Sequence, residues 1–209
     1  LVAFNAATGA EVWSAAKGTG GYSSPQLFTL EGVPQVLLLN SVGLQSFTPD
    51  KGTQLWQYEF KQKQFPRCVQ PLHDGKGGFA LGLTTDFGSK LARVTKSGDT
   101  WTAKEEWSNE KHRPYFNDDV GHKGAMYGFD GNRLCCVDLA TGETKWQGTR
   151  YGGQVMILPD MDMLLVLTEK GRVQLVKADP AAFTEVSGFD ALTGKTWNHP
   201  AIANGKIYV

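Results

Sequence analysis

The chain has 209 residues, with 21 lysines and arginines balanced by 21 aspartates and glutamates, so its formal net charge is zero. A neutral chain without a basic stripe argues against nucleic-acid binding, and no polybasic segment indicates a membrane surface. The longest apolar runs, residues 36–39 and 163–167, fall far short of the roughly 20 residues that cross a bilayer, which excludes a transmembrane segment. Twenty-five glycines, six tryptophans and short apolar runs predict an all-β chain with many turns.

One kind of segment, with a turn glycine and a following tryptophan, recurs along the chain. It reads LVAFNAATGAEVW at residues 1–13, LQSFTPDKGTQLW at 44–56, a weaker KLARVTKSGDTW at 90–101, and LCCVDLATGETKW at 134–146. The turn glycines lie 43, 46 and 44 residues apart: Gly9, Gly52, Gly98 and Gly142. In the three strong copies a tryptophan lies four residues past the glycine: Trp13, Trp56 and Trp146.

A second kind of segment lies between these copies. It reads YSSPQLFTLEGVPQVLLL at residues 22–39, CVQPLHDGKGGFALGL at 68–83, FNDDVGHKGAMYGF at 116–129, GQVMILPDMDMLLVL at 153–167 and NHPAIANGKIYV at 198–209. Each contains two alternating apolar stretches around a turn with Gly or Asp, which is typical of a β-hairpin. A degenerate copy of the first kind, VQLVKADPAAFTEVSGF at 173–189, has lost the Thr-Gly and the tryptophan.

Four short strands in every 40–50 residues, roughly, predict a β-propeller of four-stranded antiparallel blades. A tandem of separate small β domains is the alternative, but the tryptophans suit contacts between neighbouring units better than isolated cores. We expect one domain with approximate blades at residues 20–60, 65–109, 112–150 and 152–189. Residues 1–15 would supply two strands of a further blade, with 196–209 as their partners if the ring closes.

The chain therefore holds about four to five blades, either as a closed five-bladed ring or as part of a seven- or eight-bladed propeller. The second reading is favoured, because the sequence begins within a repeat and ends after the inner strands of another. An open arc would expose unpaired strand edges, so we expect the isolated chain to self-associate or to associate with remaining blades.

The repeat motif is Ala-x-Asn/Asp-x-x-Thr-Gly-x-x-x-Trp, complete at residues 3–13 and nearly complete at 138–146. It resembles the tryptophan-docking motif of PQQ-like propeller repeats in the quinoprotein alcohol dehydrogenase-like superfamily. It is also similar to BamB-type outer-membrane assembly lipoproteins, which share the repeats without using the quinone. The segments YSSP at 22–25, YGFDGNRLCCVDLATGETKW at 127–146 and ALTGKTWNHPAIANGKIYV at 191–209 resemble those of PQQ-binding-like repeat proteins. The resemblance implies a periplasmic or secreted bacterial protein.

The motif residues have a structural interpretation. A glycine in the turn tolerates a positive φ, and the Asn or Asp ahead of it hydrogen-bonds backbone groups there. The tryptophan supplies a large apolar face with one N–H donor, which in the family packs between blades. We therefore assign blade docking to a set of three tryptophans and three glycines: Trp13, Trp56, Trp146, Gly9, Gly52 and Gly142.

The adjacent cysteines Cys135 and Cys136 raise the question of a vicinal disulfide, which lies over the cofactor in some quinone-dependent dehydrogenases. In the aligned copies these positions hold Val-Ala, Gln-Ser and Leu-Ala. Neighbouring Cα atoms are also only about 3.8 Å apart, closer than the usual disulfide range of about 4.4–6.8 Å. We interpret the pair as two ordinary strand positions.

The sequence contains no segment that matches the calcium, base and quinone ligands of the dehydrogenases. The four histidines have no metal-ligand spacing, and there is no Gly-x-Ser-x-Gly elbow. We therefore predict no catalytic, cofactor-binding or metal-binding residues, with PQQ and calcium kept only for the alternative function below.

The starts of the innermost strands lie near the mouth of a propeller's central channel, and most of them carry polar residues that differ between blades. Such a ring can bind a ligand or peptide, although solvation and turn capping are the plainer interpretation. The candidate contacts are Ser24, Gln70, Asn117, Asp118, Gln154, Asn198 and His199.

The sequence therefore predicts a non-catalytic scaffold of the bacterial cell envelope that binds a protein, a peptide or an extracellular glycan. The alternative is a segment of a PQQ-dependent quinoprotein dehydrogenase whose cofactor site lies mostly outside this chain.

Overall fold

The structure is a computed structural model that describes residues 1–15, 18, 20–60, 68–83 and 88–209. The described residues form twenty β-strands and one short 3-10 helix, arranged as four sheets of four strands and two sheets of two strands. Strand order within each sheet follows the chain, and all pairings are antiparallel. The predicted all-β fold with four-stranded propeller blades is confirmed.

The sheets occur in chain order. A two-stranded sheet consists of β1 (Val2–Phe4) and β2 (Glu11–Ser14). The first blade comprises β3 (Gln26–Leu30), β4 (Val33–Asn40), β5 (Gly43–Phe47) and β6 (Gln54–Glu59). The second comprises β7 (Leu72–His73), β8 (Gly78–Gly82), β9 (Ser89–Ser97) and β10 (Thr100–Asn109). The third comprises β11 (Val120–His122), β12 (Ala125–Asp130), β13 (Arg133–Asp138) and β14 (Thr144–Arg150).

The fourth blade comprises β15 (Gly153–Leu158), β16 (Met163–Thr168), β17 (Arg172–Lys177) and β18 (Glu185–Asp190), with the 3-10 helix Pro159–Met161 in its first turn. The last two strands, β19 (Ala201–Ala203) and β20 (Lys206–Tyr208), form a two-stranded sheet. Residues 65–67 and 84–87 of the second predicted blade lie outside the described residues. Within the described parts, no helix is long and apolar enough to cross a membrane.

Three of the hairpins that begin a sheet share one turn chemistry. Glu31-Gly32, Lys123-Gly124 and Asn204-Gly205 each join the first two strands of a sheet, and both residues of each pair have φ between 47° and 80°. Two consecutive positive φ values define the two-residue turn that matches the right-handed twist of antiparallel strands. In these three sheets the short turn makes the first two strands antiparallel neighbours.

The hydrophobic core is divided among the interfaces between neighbouring sheets. One cluster joins Leu37, Leu39 and Leu44 of the first blade to Phe79 and Leu81 of the second. Two further clusters span the second and third blades and the third and fourth blades. Both faces of β12 and β16 are buried, while β4 buries one face and half-buries most of the other, which explains the apolar runs along these strands. Each blade is thus stabilised by its neighbours.

Three tryptophans on outer strands reach the turn of the following sheet. Trp13 Nε1 donates to the Pro49 carbonyl at 3.0 Å, and Trp107 Nε1 to that of Leu139 at 2.9 Å. Trp146 Nε1 donates to the Asp179 carbonyl at 2.8 Å. The weak sequence copy pointed to Trp101, but the longer β9–β10 hairpin places Trp107 in this position instead.

Trp56 differs from these three. Its Nε1 donates to Gln35 Oε1 at 2.7 Å within its own blade, while its ring lies 5.6 Å from that of Phe79 in the next blade. Asn5 and Asp138, ahead of their turns, each accept two backbone N–H bonds at 2.9–3.0 Å. These bonds stabilise both turns, and the Trp107 ring of the preceding blade docks on the turn that follows Asp138.

The two terminal pairs are separate sheets. Strand β1 pairs with β2 and β19 with β20, and the pairing of β20 with β1 that would complete a fifth blade is not formed between these described strands. All residues of β19 and β20 are exposed.

Candidate functional site

The segments before the inner strands and the turns between the second and third strands lie at one end of the blades. An antiparallel second strand ends where the first begins, so residues 115–118 lie beside the β12–β13 turn at residues 131–132. The candidate residues of the polar ring lie at this end. The structure thereby gathers side chains from successive repeats on a single face.

Several polar groups of the ring link one blade to the next. Ser23 Oγ donates to the Val69 carbonyl at 2.9 Å. The Gln70 side-chain amide pairs with the Ser24 backbone, donating to its carbonyl and accepting from its N–H. The Gln70 backbone N–H donates to Asp118 Oδ1 at 2.7 Å. These groups join the inner strands of the first three blades.

The same pattern continues beyond the third blade. Asn117 Nδ2 donates to the Gly153 carbonyl at 2.5 Å, and Gln154 Nε2 donates to the Trp197 carbonyl at 3.1 Å. These amides therefore stabilise the contacts between blades.

Asp118 is the acidic member of the ring. Burial raises its pKa, and the neighbouring Asp119 carboxylate adds to the rise, while the Gln70 N–H and the charge of His199 oppose it. The net pKa is raised above the usual value of an aspartate. Asn198 and His199 themselves are exposed.

Next to Asn117 and Gln154 lies a cavity of about 730 Å³, which we call the aromatic pocket. Its walls come from three successive repeats: the segment before β11, the start of β15 with the β16–β17 turn, and the segment before β19. Three aromatic side chains, two amides and one ion pair line most of it: Tyr115, Phe116, Trp197, Asn117, Gln154, and Glu169 with Lys195.

The aromatic side chains of the pocket are exposed. Tyr115 and Phe116 meet edge to face, with ring centroids 4.4 Å apart. Trp197 is 67% exposed and carries the Lys195 ammonium 4.9 Å from its ring centroid. Lys195 also lies 3.5 Å from Glu169. Large exposed aromatic rings around a concavity are typical of binding sites.

Gln154 leaves one hydrogen-bonding atom unused. Its side chain is buried, and donation from Nε2 to the Trp197 carbonyl fixes the orientation of the amide. Its Oε1 is buried and has no hydrogen-bond partner among the residues that the structure describes. A buried acceptor without a donor costs free energy, so the Gln154 amide is held at a cost in the free protein.

A second polar cluster lies inside the protein, between the second and third blades. Ser89 Oγ is 2.6 Å from His112 Nδ1, and His112 Nε2 is 3.3 Å from Asp119 Oδ1 without good hydrogen-bond alignment. Gly128 makes room for the Asp119 carboxylate, because a Cβ there would overlap it.

The residue types in this cluster are those of a hydrolase triad, but Ser89 and His112 are fully buried. Burial alone lowers the His112 pKa, and the Asp119 carboxylate and the Cys135 thiol outweigh it, so the pKa is raised well above its usual value. A serine enclosed on all sides is not presented to a substrate. The cluster is a buried charge pair that joins two blades.

The three cysteines are free. Cys135 and Cys136 are buried on opposite faces of β13, and Cys135 Sγ lies 3.4 Å from the Gly128 carbonyl. Burial, the main cause, raises the pKa of Cys136 to about 12. Both side chains fill ordinary core positions.

Sequence reasoning located Asn117 and Gln154 but missed the aromatic residues beside them. Tyr115 and Phe116 directly precede Asn117, and Trp197 lies outside the repeat motif. Trp197, a tryptophan that the repeat motif does not explain, was the sequence feature that could have indicated the pocket. In the described ranges, no group of three or more His, Cys, Asp or Glu side chains is placed to hold a metal ion.

Comparisons with known proteins agree with this architecture. A sequence profile of the family described as "Outer membrane protein assembly factor BamB" matches residues 41–207. The crystal structure of BamB from Moraxella catarrhalis aligns with a TM-score of 0.50 and 15% identity, covering 99% of this chain and 72% of that chain. A search of curated protein sequences gives no significant match.

Two other solved structures are similar in fold. The N-terminal domain of Nup159 aligns with a TM-score of 0.56 and 14% identity, covering 83% of this chain and 46% of that one. The computationally designed Ika8 protein aligns with a TM-score of 0.54 and 10% identity, covering 96% and 71%. At these identities the likeness concerns the fold alone.

Proposed function

Because the chain belongs to the family of the outer membrane protein assembly factor BamB, we propose that it is a non-catalytic scaffold that binds a protein partner in the bacterial cell envelope. The aromatic pocket is the docking site in this proposal. Propeller blades supply a rigid frame, and loops at one end of the frame supply the contacts.

The observation that carries the proposal is the grouping of Tyr115, Phe116 and Trp197 around one cavity. All three are large and exposed. Aromatic side chains in a concavity are the residues that contribute most to protein–protein affinity. A soluble chain that leaves three of them in one place loses free energy unless a partner covers them.

The free hydrogen-bonding groups favour a protein segment over a glycan. A sugar presents many hydroxyls and needs several unengaged polar groups around the aromatic platform. In the pocket, one N–H of Asn117 and one of Gln154 are bonded to the carbonyls of Gly153 and Trp197. An apolar side chain among the three rings, with one backbone N–H directed to the Gln154 amide oxygen, fits this mainly aromatic lining.

Site-specific photo-crosslinking in the producing bacterium tests the docking site. A photoreactive phenylalanine analogue replaces Phe116 in the full-length protein, and a matched protein carries it at Phe4, which is exposed on β1 away from the pocket. We expect one discrete adduct from position 116 that position 4 does not give, and Trp197→Ala should weaken it.

Equal adducts from both positions would contradict the proposal. So would a thermal shift on adding PQQ with Ca²⁺, combined with dye-linked alcohol oxidation by the full-length protein. That pair of results would establish the quinoprotein dehydrogenase alternative instead.

A further inference from the structure

We propose that the partner segment is acidic: an apolar or aromatic side chain enters the aromatic pocket while flanking carboxylates bind an adjoining arginine surface. This inference deepens the proposed function and rests on it. The arginine surface consists of Arg113, Arg133 and Arg150.

The arginine surface and the aromatic pocket are continuous. The three arginines line a concavity of about 300 Å³ that shares Tyr115, Gly131 and Asn132 with the pocket. The β12–β13 turn forms the common wall. Backbone bonds hold this turn: Gly131 N–H donates to the Arg113 carbonyl at 3.2 Å, and Asn132 accepts from the N–H groups of residues 151 and 152 at 2.9 Å. One segment of a partner can therefore contact both sites at once.

The surface carries more positive charge than its own acids neutralise. Asp130 is the acidic residue in its lining, and it lies 3.4 Å from Arg113. No described carboxylate lies within 4 Å of Arg133 or Arg150. In a chain of zero net charge, this is a local excess, and it selects for a negatively charged partner.

The placement of the two arginines is costly in the free protein. Arg133 and Arg150 are direct cross-strand partners on β13 and β14, and like charges directly opposite each other destabilise a sheet. The pairing of β13 with β14 has a register shift between Arg133 and Cys135. This shift is additional to the one near the turn between the two strands, which the corresponding pair β5 and β6 also has. Bulges of this kind redirect side chains next to functional sites. A bound carboxylate between the two guanidinium groups would relieve the repulsion.

The unpaired acceptor of the pocket gives an independent indication of a ligand. Gln154 Oε1 is buried, no group in the described part of the chain donates to it, and the side chain that carries it is 8% exposed. An extended peptide presents backbone N–H groups at regular intervals and supplies such a donor without any particular side chain. Together, the three observations specify a partner segment with an apolar anchor, a backbone N–H donor and flanking acidic residues.

Fluorescence polarisation with labelled peptides of about 11 residues, a length that spans such a groove in extended form, tests the inference on the full chain. One peptide has a central tryptophan flanked by aspartates and glutamates. A second replaces the tryptophan by alanine, and a third replaces the acids by lysines. The protein variants are Trp197→Ala and the double variant Arg133→Gln/Arg150→Gln. Their matched controls are Phe4→Ala and Lys104→Gln/Lys206→Gln, at exposed positions away from the pocket.

We expect the acidic tryptophan peptide to bind wild type and both controls alike, within about twofold. Each pocket variant should weaken it about tenfold, the size expected for loss of two charge pairs or one aromatic anchor. Raising the salt from about 0.05 M to about 0.5 M should weaken wild-type binding more than binding by the double arginine variant. The double variant should melt no lower than wild type, because removing the cross-strand repulsion does not destabilise the sheet.

Equal binding of the lysine peptide, or no effect of the double arginine variant, would overturn the inference. So would a lower melting temperature of that variant, which would make the arginines structural. Binding of phosphatidylglycerol vesicles with the same arginine dependence, without peptide binding, would assign the surface to a membrane instead. If the photo-crosslink at position 116 persists while the acidic peptide fails, the acidic chemistry is wrong and the docking site stands. If both fail, the proposed function fails too.

Discussion

Replacing Gly142 by alanine tests whether this turn position needs glycine because the Trp107 ring packs directly against it. Gly142 has φ of 73°, and a Cβ there would lie 2.6 Å from two ring atoms of Trp107. Gly98, in the turn that joins β9 and β10, has φ of 57° and nothing within 4 Å of a Cβ. The two glycines therefore share a left-handed backbone conformation, but only Gly142 is packed against an aromatic ring.

The left-handed conformation costs a residue with a Cβ about 1–2 kcal/mol, and this should be the whole cost of Gly98→Ala. In Gly142→Ala the ring must also retreat by roughly 1 Å to reach ordinary contact. That movement disturbs the 2.9 Å bond from Trp107 Nε1 to the Leu139 carbonyl and the packing of a ring that is 8% exposed. A lost hydrogen bond of about 1 kcal/mol and a core clash of about 1–2 kcal/mol bring the total to about 3–5 kcal/mol.

Urea denaturation followed by tryptophan fluorescence measures both variants, and Trp107→Ala provides the background for a double-mutant cycle. On that background Gly142→Ala should cost no more than Gly98→Ala. Equal destabilisation by the two glycine variants in the wild-type chain would refute the seating argument, as would additive effects of Gly142→Ala and Trp107→Ala.

Three further outcomes concern ionisable groups, each measured by urea denaturation. Burial alone raises the Asp74 pKa, but backbone N–H groups and the Arg93 guanidinium, 2.7 Å away, outweigh it and lower the pKa. Asp74→Asn should therefore lower the free energy of unfolding by about 1–3 kcal/mol at pH 7. This loss should shrink as the pH falls below about 4, because the wild-type carboxylate is then protonated. A loss that does not depend on pH would contradict the ion pair. Asp118 has a raised pKa, so its ionisation lowers stability as the pH rises, and Asp118→Asn, which keeps the acceptor oxygen, should gain about 0.5 kcal/mol at pH 7. His112→Ala leaves the Asp119 carboxylate buried without its cation and should cost about 3–5 kcal/mol. Adding Asp119→Ala should recover part of that loss, and strict additivity would exclude the charge pair.

The repeated hairpins and turn glycines were sufficient to predict the propeller fold from the sequence. Such patterns are local: two alternating stretches around a positive-φ turn fold into a hairpin in any repeat that carries them. The exchange of Trp101 for Trp107 was not visible in this way. It depends on the length of the β9–β10 hairpin, which the spacing from Gly98 does not reveal.

The candidate site was only partly accessible to sequence reasoning. Asn117 and Gln154 were found because their position in the repeat fixes their place at the channel end. Arg133 and Arg150 are 17 positions apart, and only the strand register, including its bulge, brings them opposite each other. Their repulsion, and the shared wall between the two concavities, are properties of the pairing and not of the residue pattern.

The division of the aromatic pocket among three consecutive repeats has an evolutionary consequence. No single blade encodes the pocket, so duplicating one blade cannot copy the site. Inserting or deleting a repeat between residues 131 and 195 would separate the walls even though every remaining hairpin could still form. The proposed recognition therefore depends on the order of the repeats, in addition to the packing within and between blades.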